Sequence, residues 1–250
     1  DNVLILSGDH IYKMDYRPLI QQHIEKGADV TVCAQEVDWS EASRFGILTD
    51  DENGRIVEFA EKPEEPKSNL ASMGIYVFKT DVLINTLQYL KKTGLDFGSD
   101  VIPHLIHHGS VYSYRFRDYW KDVGTLSSYW QANMELIDLV PDFNLYEEYW
   151  KIYTKSEVLP PQYISENSVI ERCIIGEGSE IYGQVFNSVI GCGVVIDEGT
   201  VVRNSIIMNQ TQIGKNCVIE KAIIEAGYEF EFMPNHEAMD GFPFELEALK

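Results

Sequence analysis

Long apolar runs are missing from this chain of 250 residues; none approaches the roughly eighteen residues of a membrane-spanning helix. No secretory leader is recognisable either, so a membrane role is not expected and a cytoplasmic location is. Closely spaced cysteine pairs are absent. Cys33, Cys173, Cys192 and Cys217 stand far apart, which removes the usual zinc patterns and fits buried thiols in a reducing compartment. Basic residues are scarce: 20 Lys and Arg face 40 Asp and Glu, a net charge of −20. That field repels a polyanion, so nucleic acid is not an expected partner, and any multi-anion substrate needs local cations.

What is present begins with D-N-V-L-I-L-S-G-D-H-I-Y-K-M-D-Y. Val3–Leu6 is a short run of branched side chains, the pattern of a strand buried on both faces within a parallel sheet. It delivers Asp9 to the strand's carboxyl end, where open α/β sheets bind ligands. Asp15 is placed to cap a helix with Pro18 in its first turn, and Gly27 to end it. Residues 29–34 form a second strand, and strand–helix–strand predicts a right-handed crossover in a parallel sheet. Asn53-Gly54 predicts a tight hairpin with Glu61 and Lys62 at its end. Residues 71–78 read as an apolar strand in which Gly74 marks a close backbone approach.

Helices are expected over 81–92, with Val82, Leu83, Leu87 and Leu90 inward and Gly94 at the end, and over 125–139. In the second, Leu126, Tyr129, Trp130 and Ile137 pack and Pro141 stops the helix. Between them 111–116 alternates as a strand. Asp96-Phe97-Gly98 resembles a kinase metal motif, but no companion loop supports it and we read it as chance. His104, His107 and His108 have the spacing of an ordinary helix face. Asp9 and Asp122, taken singly, are equally placed to cap helices.

The texture changes after Pro160-Pro161. N-S-V-I occurs at Asn167 and Asn187, and N-S-I-I at Asn204. Branched residues recur every sixth position in three runs: Val169, Ile175, Ile181; Ile190, Ile196, Val202; Ile207, Ile213, Ile219. That period predicts a parallel β-helix of about three coils. Hexad repeats also serve acyltransferases, but those generally need a histidine in the coils, and none lies between Ile164 and Ala226. The expected organisation is a domain over 1–140, a linker over 141–163, the β-helix over 164–226, and a cap or acidic tail over 227–250.

Several long stretches together carry a family likeness: S-G-D-H-I-Y-K-M-D-Y, F-G-I-L, E-K-P, A-S-M-G-I-Y-V-F, D-F-G-S-D-V-I-P and Y-W-K-D-V-G-T-L-S-S-Y-W-Q-A-N, followed by hexads. In that order they resemble the bacterial glucose-1-phosphate adenylyltransferases (ADP-glucose pyrophosphorylases). The resemblance implies a partial Rossmann-like α/β nucleotidyltransferase domain followed by a left-handed parallel β-helix. It implies transfer of AMP from ATP to α-D-glucose 1-phosphate for glycogen biosynthesis. By the same resemblance Asp9 and Asp122 hold Mg²⁺, and Lys62 grips the sugar phosphate. Glu61 accepts from sugar hydroxyls, while Ser72 and the Gly46 backbone complete the sugar pocket. A homotetramer, or a heterotetramer with a sister subunit, is the implied assembly.

One departure stands out. The family's G-G-x-G-x-R-L loop, which wraps the ATP phosphates, is absent, so an upstream portion is expected to be missing and this chain alone to be inactive. A non-catalytic regulatory subunit, and a related sugar-phosphate nucleotidyltransferase, remain open alternatives.

Overall fold

The computed structural model describes residues 1–91, 95–155 and 158–230. They form two compact units that divide between Trp120 and Lys121.

In the first unit the strands are β1 (Asn2–Ile5), β2 (His10–Tyr12), β3 (Val30–Glu36), β4 (Gly46–Asp50), β5 (Ile56–Glu61), β6 (Leu70–Lys79) and β7 (Val111–Arg115). The helices are α1 (Tyr16–Glu25), α2 (Thr80–Leu90) and α3 (Ile102–His108). The main sheet runs β5-β4-β6-β3-β7, with β1 also on β6. Its spine is β6, which pairs antiparallel with β1 and β4 along one edge and with β3 along the other. Only β3 and β7 are parallel neighbours.

This corrects the expectation of a parallel sheet around the first strand. The crossover from β1 through α1 to β3 is present, but β6 lies between those strands. Val3–Ile5 is half-buried and Leu6 is exposed. An apolar run reports that a strand is covered, not which way its neighbour points.

Two cores flank the sheet. On one face Val30, Val32, Tyr76 and Phe78 pack with Ile102 and Leu105 of α3, and with Val82, Leu83 and Leu90 of α2. On the other, Leu19 of α1 meets Cys33, Met73, Ile75 and Val77. The α1 start is as expected, with the Asp15 side chain accepting from the Arg17 N–H. Leu87 departs from its expected inward position and is exposed. The predicted helix end at Lys92 and Gly94 lies outside the described residues. The β4–β5 hairpin forms with Gly54 at φ +76°, and Asp51 accepts from the Asn53 and Arg55 N–H groups. In α3, His104 and His108 stack face to face, 4.3 Å between centroids.

In the second unit, helix α4 (Leu126–Leu136) opens with a capping box between Thr125 and Ser128. It ends before the expected Leu139, and Leu126 is exposed rather than packed. The indole N–H of Trp130 donates to the Asn204 carbonyl at 2.8 Å, and Arg172 pairs with Asp138 at 3.0 Å. These contacts seat α4 on the corners of the following coils.

Those coils are a parallel β-helix with three sheets of four, four and five short strands, about four turns rather than three. Tyr163 pairs with Glu180, Gln184 with Val201 and Val201 with Val218, so a coil has 17 residues; the step from Val169 to Gln184 has 15, because the corner between Ile181 and Gln184 is shorter. Ile181, Ile190, Ile196, Val202, Ile207, Ile213 and Ile219 are buried, as the hexads predict. Val169 is the exception: it is 46% exposed and Ile170 turns inward instead.

The reason lies in the coil's third side, which is one residue shorter than the others. It ends at a left-handed corner, occupied by Arg172, Asn187, Asn204 and Lys221 at φ 45–51°. Asn-Ser at 187 and 204 marks that corner because asparagine tolerates the conformation. Asn167 lies on a different side, since its neighbour Val169 pairs with Gln184 and not with Val189. Inside, hydroxyls bridge successive coils: Ser188 accepts from the Ser205 N–H and Ser205 from the Ala222 N–H. Gly227–Phe230 continues the stack, with Glu229–Phe230 paired to Gln212–Ile213. The rest of the expected cap or tail, 231–250, lies outside the described residues.

Candidate functional site

β1 leads into Ser7-Gly8-Asp9-His10, and this turn lies against an irregular stretch of β6. Between Val32 and Ala34 on β3, the partner residues jump from Tyr76 to Ser72, so β6 bulges around Met73, Gly74 and Ile75. Gly74 sits at φ +66°, and a Cβ there would meet Ser7 Cβ at 3.4 Å and His10 Cε1 at 3.6 Å. The close approach expected at Gly74 is therefore to the turn that carries Asp9.

The Asp9 carboxylate is 66% exposed and accepts from the Ser7 hydroxyl at 2.7 Å. That hydrogen bond, and then the His10 ring, hold it below the usual aspartate range. It caps no helix. His10 Nδ1 lies 3.0 Å from the Met73 carbonyl and 3.2 Å from the Trp120 indole nitrogen. With a proton on Nδ1 the histidine donates to the carbonyl; the indole N–H can donate only to the other tautomer. Trp120 meets the imidazole edge-to-face at 5.4 Å and so walls in this turn.

A second set of groups gathers where β4 begins and β5 ends. Gly46 faces Glu61 across the hairpin. A Cβ on Gly46 would lie 2.5 Å from the Phe59 ring and 2.8 Å from Glu61 Oε2. The turn Phe97–Val101, capped by the Asp96 side chain, comes from the other direction. The surrounding protein, and then the negative charge of Asp96, raise Glu61 above the usual glutamate range. Phe97 stacks on Tyr76 at 5.5 Å, and the Tyr76 hydroxyl reaches Ser72 Oγ in a long 3.4 Å contact. Ser72 is buried beside the bulge, so β6 joins the Asp9 turn to the Glu61 end.

Lys62 is held at φ +45°, a left-handed conformation that a lysine adopts at some cost, with its N–H bonded to the Phe45 carbonyl at 3.1 Å. Its side chain is exposed, and its positive charge acts on the neighbouring Glu61 carboxylate. In a chain of net charge −20, such a cation is available to an anionic ligand.

Asp122 belongs to the second unit. Its Oδ1 accepts from the Gly124 N–H at 2.9 Å, which makes a turn ahead of α4; the cap itself is Thr125.

The structure thus gathers Gly46, Glu61, Lys62 and Ser72 on one end of the first unit's sheet, with Asp9 across the same β6 bulge. Sequence reasoning missed Asp96 and Gly98, read as a chance kinase-like triplet, and the His10–Trp120 pair. No local signal marks Gly98, because the group its missing side chain makes room for is the distant Glu61 carboxylate.

Chemically the set divides into hard anionic oxygen, an exposed cation and uncharged polar groups. Asp9 is ionised and exposed with only Oδ1 engaged, which suits a hard divalent cation. Among the described residues no three His, Cys, Asp or Glu side chains gather into a metal cage. An ion held by one or two carboxylates and completed by water and phosphate oxygens is the arrangement Mg²⁺ favours.

Comparison with known proteins bears on the family of the chain. Residues 1–138 match the nucleotidyl transferase family model, and residues 160–232 match the GlmU-like C-terminal hexapeptide model. The chain is 59% identical over 198 residues to a glucose-1-phosphate adenylyltransferase of Lachnospira eligens, covering 78% of the chain and 47% of the relative. It is 51% identical over 225 residues to that of Fervidobacterium nodosum, covering 89% and 54%. With that of Acetivibrio thermocellus it shares 47% over 226 residues, covering 89% and 53%. The chain spans about half the length of these curated relatives. Its strand-end acid, its hairpin-end lysine and the match over more than half its residues lead to one conclusion: the chain belongs to the nucleotidyl transferase family.

Proposed function

We propose that this chain is part of an enzyme that transfers AMP from ATP to α-D-glucose 1-phosphate, giving ADP-glucose and pyrophosphate in glycogen biosynthesis. The observation that carries the proposal is the placement of an exposed Lys62 beside Glu61 at one strand end, in a chain 47–59% identical to proteins named glucose-1-phosphate adenylyltransferase. The sugar phosphate oxygen must attack the α-phosphorus of the nucleotide and expel pyrophosphate, and both reactants are anions. Positioning and charge neutralisation are therefore most of the task.

In this reading the exposed Lys62 binds the phosphate of glucose 1-phosphate. Glu61 accepts from sugar hydroxyls, with Ser72 and the Gly46 backbone beside it. Asp9 and Asp122 would hold Mg²⁺, which would supply charge neutralisation to the phosphate groups. We place the nucleotidyltransferase domain at 1–140, a linker at 141–163, the β-helix at 164–226 and a cap or tail at 227–250. The setting is the cytoplasm, consistent with the finding that no helix among the described residues is long and apolar enough to cross a membrane. A tetramer, of one chain type or with a sister subunit, is the proposed assembly. Exposed Tyr163, Val169 and Val218 on the coil exteriors are suited to subunit contact.

The test is Mg²⁺-dependent pyrophosphate release from ATP and glucose 1-phosphate by the full-length polypeptide, with Asp9→Asn as control. Release that Asp9→Asn abolishes is the expected result. A folded protein that releases none would instead be a regulatory subunit.

A further inference from the structure

Gly98 has a helical neighbourhood and an ordinary negative φ, since it is not among the residues with positive φ. Nothing in its backbone asks for glycine, and alanine would suit a helical turn better. Space is what it lacks. A Cβ at 98 would lie 2.2 Å from Oε2 of Glu61 and 2.9 Å from its Cδ, far inside van der Waals contact. Gly46 repeats the pattern from the opposite strand, also without positive φ, with its missing Cβ 2.8 Å from the same oxygen. Two glycines without a conformational reason thus flank one carboxylate, and each would displace it if it carried a methyl group.

We propose that Gly98 is a positioning residue for sugar recognition: by having no side chain it lets the Glu61 carboxylate lie back against the Phe97–Val101 turn, at the depth where it meets the hydroxyls of a hexose 1-phosphate. The inference rests on the assignment of Glu61 to the sugar. Asp96, which caps that turn, sets negative charge beside the carboxylate, while Lys62 acts on it in the opposite sense. A methyl group at 98 would push Oε2 forward into the volume the sugar must occupy. The group that moves is the end of a flexible side chain, so the domain tolerates the change and the sugar site does not.

Four variants of the full-length polypeptide test this: Gly98→Ala, Glu61→Gln, Glu61→Asp, and Gly98→Ala with Glu61→Asp. Gly98→Ala is expected to raise the KM for glucose 1-phosphate about tenfold or more, the effect of losing hydrogen bonds to a charged group, while KM for ATP and the melting temperature stay near wild type. Glu61→Asp retracts the carboxylate by one methylene. Alone it should weaken sugar phosphate binding; combined with Gly98→Ala it should restore part of the lost affinity, because the shorter acid clears the added methyl. Equilibrium titration with glucose 1-phosphate reads the same order without turnover. If Glu61→Gln raises this KM but Gly98→Ala leaves it unchanged, or if the double variant is no better than Gly98→Ala, the role of Gly98 is overturned. If Glu61→Gln itself changes nothing, the sugar assignment of Glu61 fails, and the inference falls with it.

Discussion

At the scale of single residues, the site is a set of side chains placed in costly ways. Lys62 holds a left-handed backbone, and Asp9 is left exposed with one oxygen engaged by Ser7. Replacing Lys62 with alanine should raise the KM for glucose 1-phosphate by about 10–100-fold, the worth of a hydrogen bond to a charged group, with a smaller effect on ATP. An unchanged KM would move the phosphate elsewhere. Asp9→Asn should lower kcat by about 10²–10³-fold, as loss of a group that serves developing charge does, and near-normal turnover would refute its role. A third residue gives a pH signature unrelated to catalysis. His23 is 1% exposed, bonded through Nδ1 to Thr31 Oγ1, with Nε2 unpartnered. Burial, and then the positive charge of Lys79, push its pKa down against an opposing pull from Asp29. The unfolded chain then binds a proton that the folded chain refuses, so stability falls as pH drops below about 6.5. Thermal melts between pH 7.5 and 5.5 should show that slope, and His23→Gln should flatten it. The parts of this site legible from the sequence were those carried by contiguous motifs, such as Glu61-Lys62 at a hairpin end. Gly98 was not legible, because its reason for being glycine is a carboxylate 37 positions away in the chain.

At the scale of elements, local pattern announced the strands of the main sheet but not their neighbours, and it missed the short strand His10–Tyr12. The hairpin at Asn53-Gly54, the cap at Asp15 and the bulge glycine at 74 all follow from residues close in sequence. The antiparallel course of β6 between β1 and β3 does not, since strand order is settled by long-range pairing that leaves no mark on an apolar run. The β-helix shows the same division. Period six revealed the inward residues, yet the shorter third side was visible only as the break between runs, and its left-handed corner explains both. Asn204→Val should therefore destabilise the coils by about 1–2 kcal/mol, the cost of forcing a β-branched residue into that conformation, whereas Asn204→Gly should cost little. Ile196→Ala, at a fully buried position, should cost about 2–5 kcal/mol. Urea denaturation followed by circular dichroism measures all three; equal losses for valine and glycine at 204 would refute the corner argument.

At the scale of the whole molecule, the dominant fact is charge. A net −20 spread over 250 residues opposes the compact state through self-repulsion, and the proposed substrates are anions too. Salt should therefore act in two directions. Raising NaCl from 50 to 300 mM should increase the melting temperature by about 2–4 °C, as if about 1 kcal/mol of repulsion were screened. The same change should weaken glucose 1-phosphate binding at Lys62, because screening removes the local attraction along with the global repulsion. Binding that strengthens with salt would mean that the overall field, rather than Lys62, governs encounter.

The 17-residue coil has a further consequence for how such a chain can lengthen or shorten. Because each coil hands the next the same three sides and the same corner, a tandem duplication of 51 base pairs, starting anywhere in the repeat, adds one storey and leaves every inward residue inward. Loss of a single codon on a six-residue side shifts that side's remaining residues by one place, so that buried isoleucines and exposed glutamates trade faces. Growth of this stack by whole coils is genetically simple. Change by any smaller step is tolerated chiefly at the corners, and the short corner between Ile181 and Gln184, which makes one step of 15 residues, shows that residues there have room to be gained or lost.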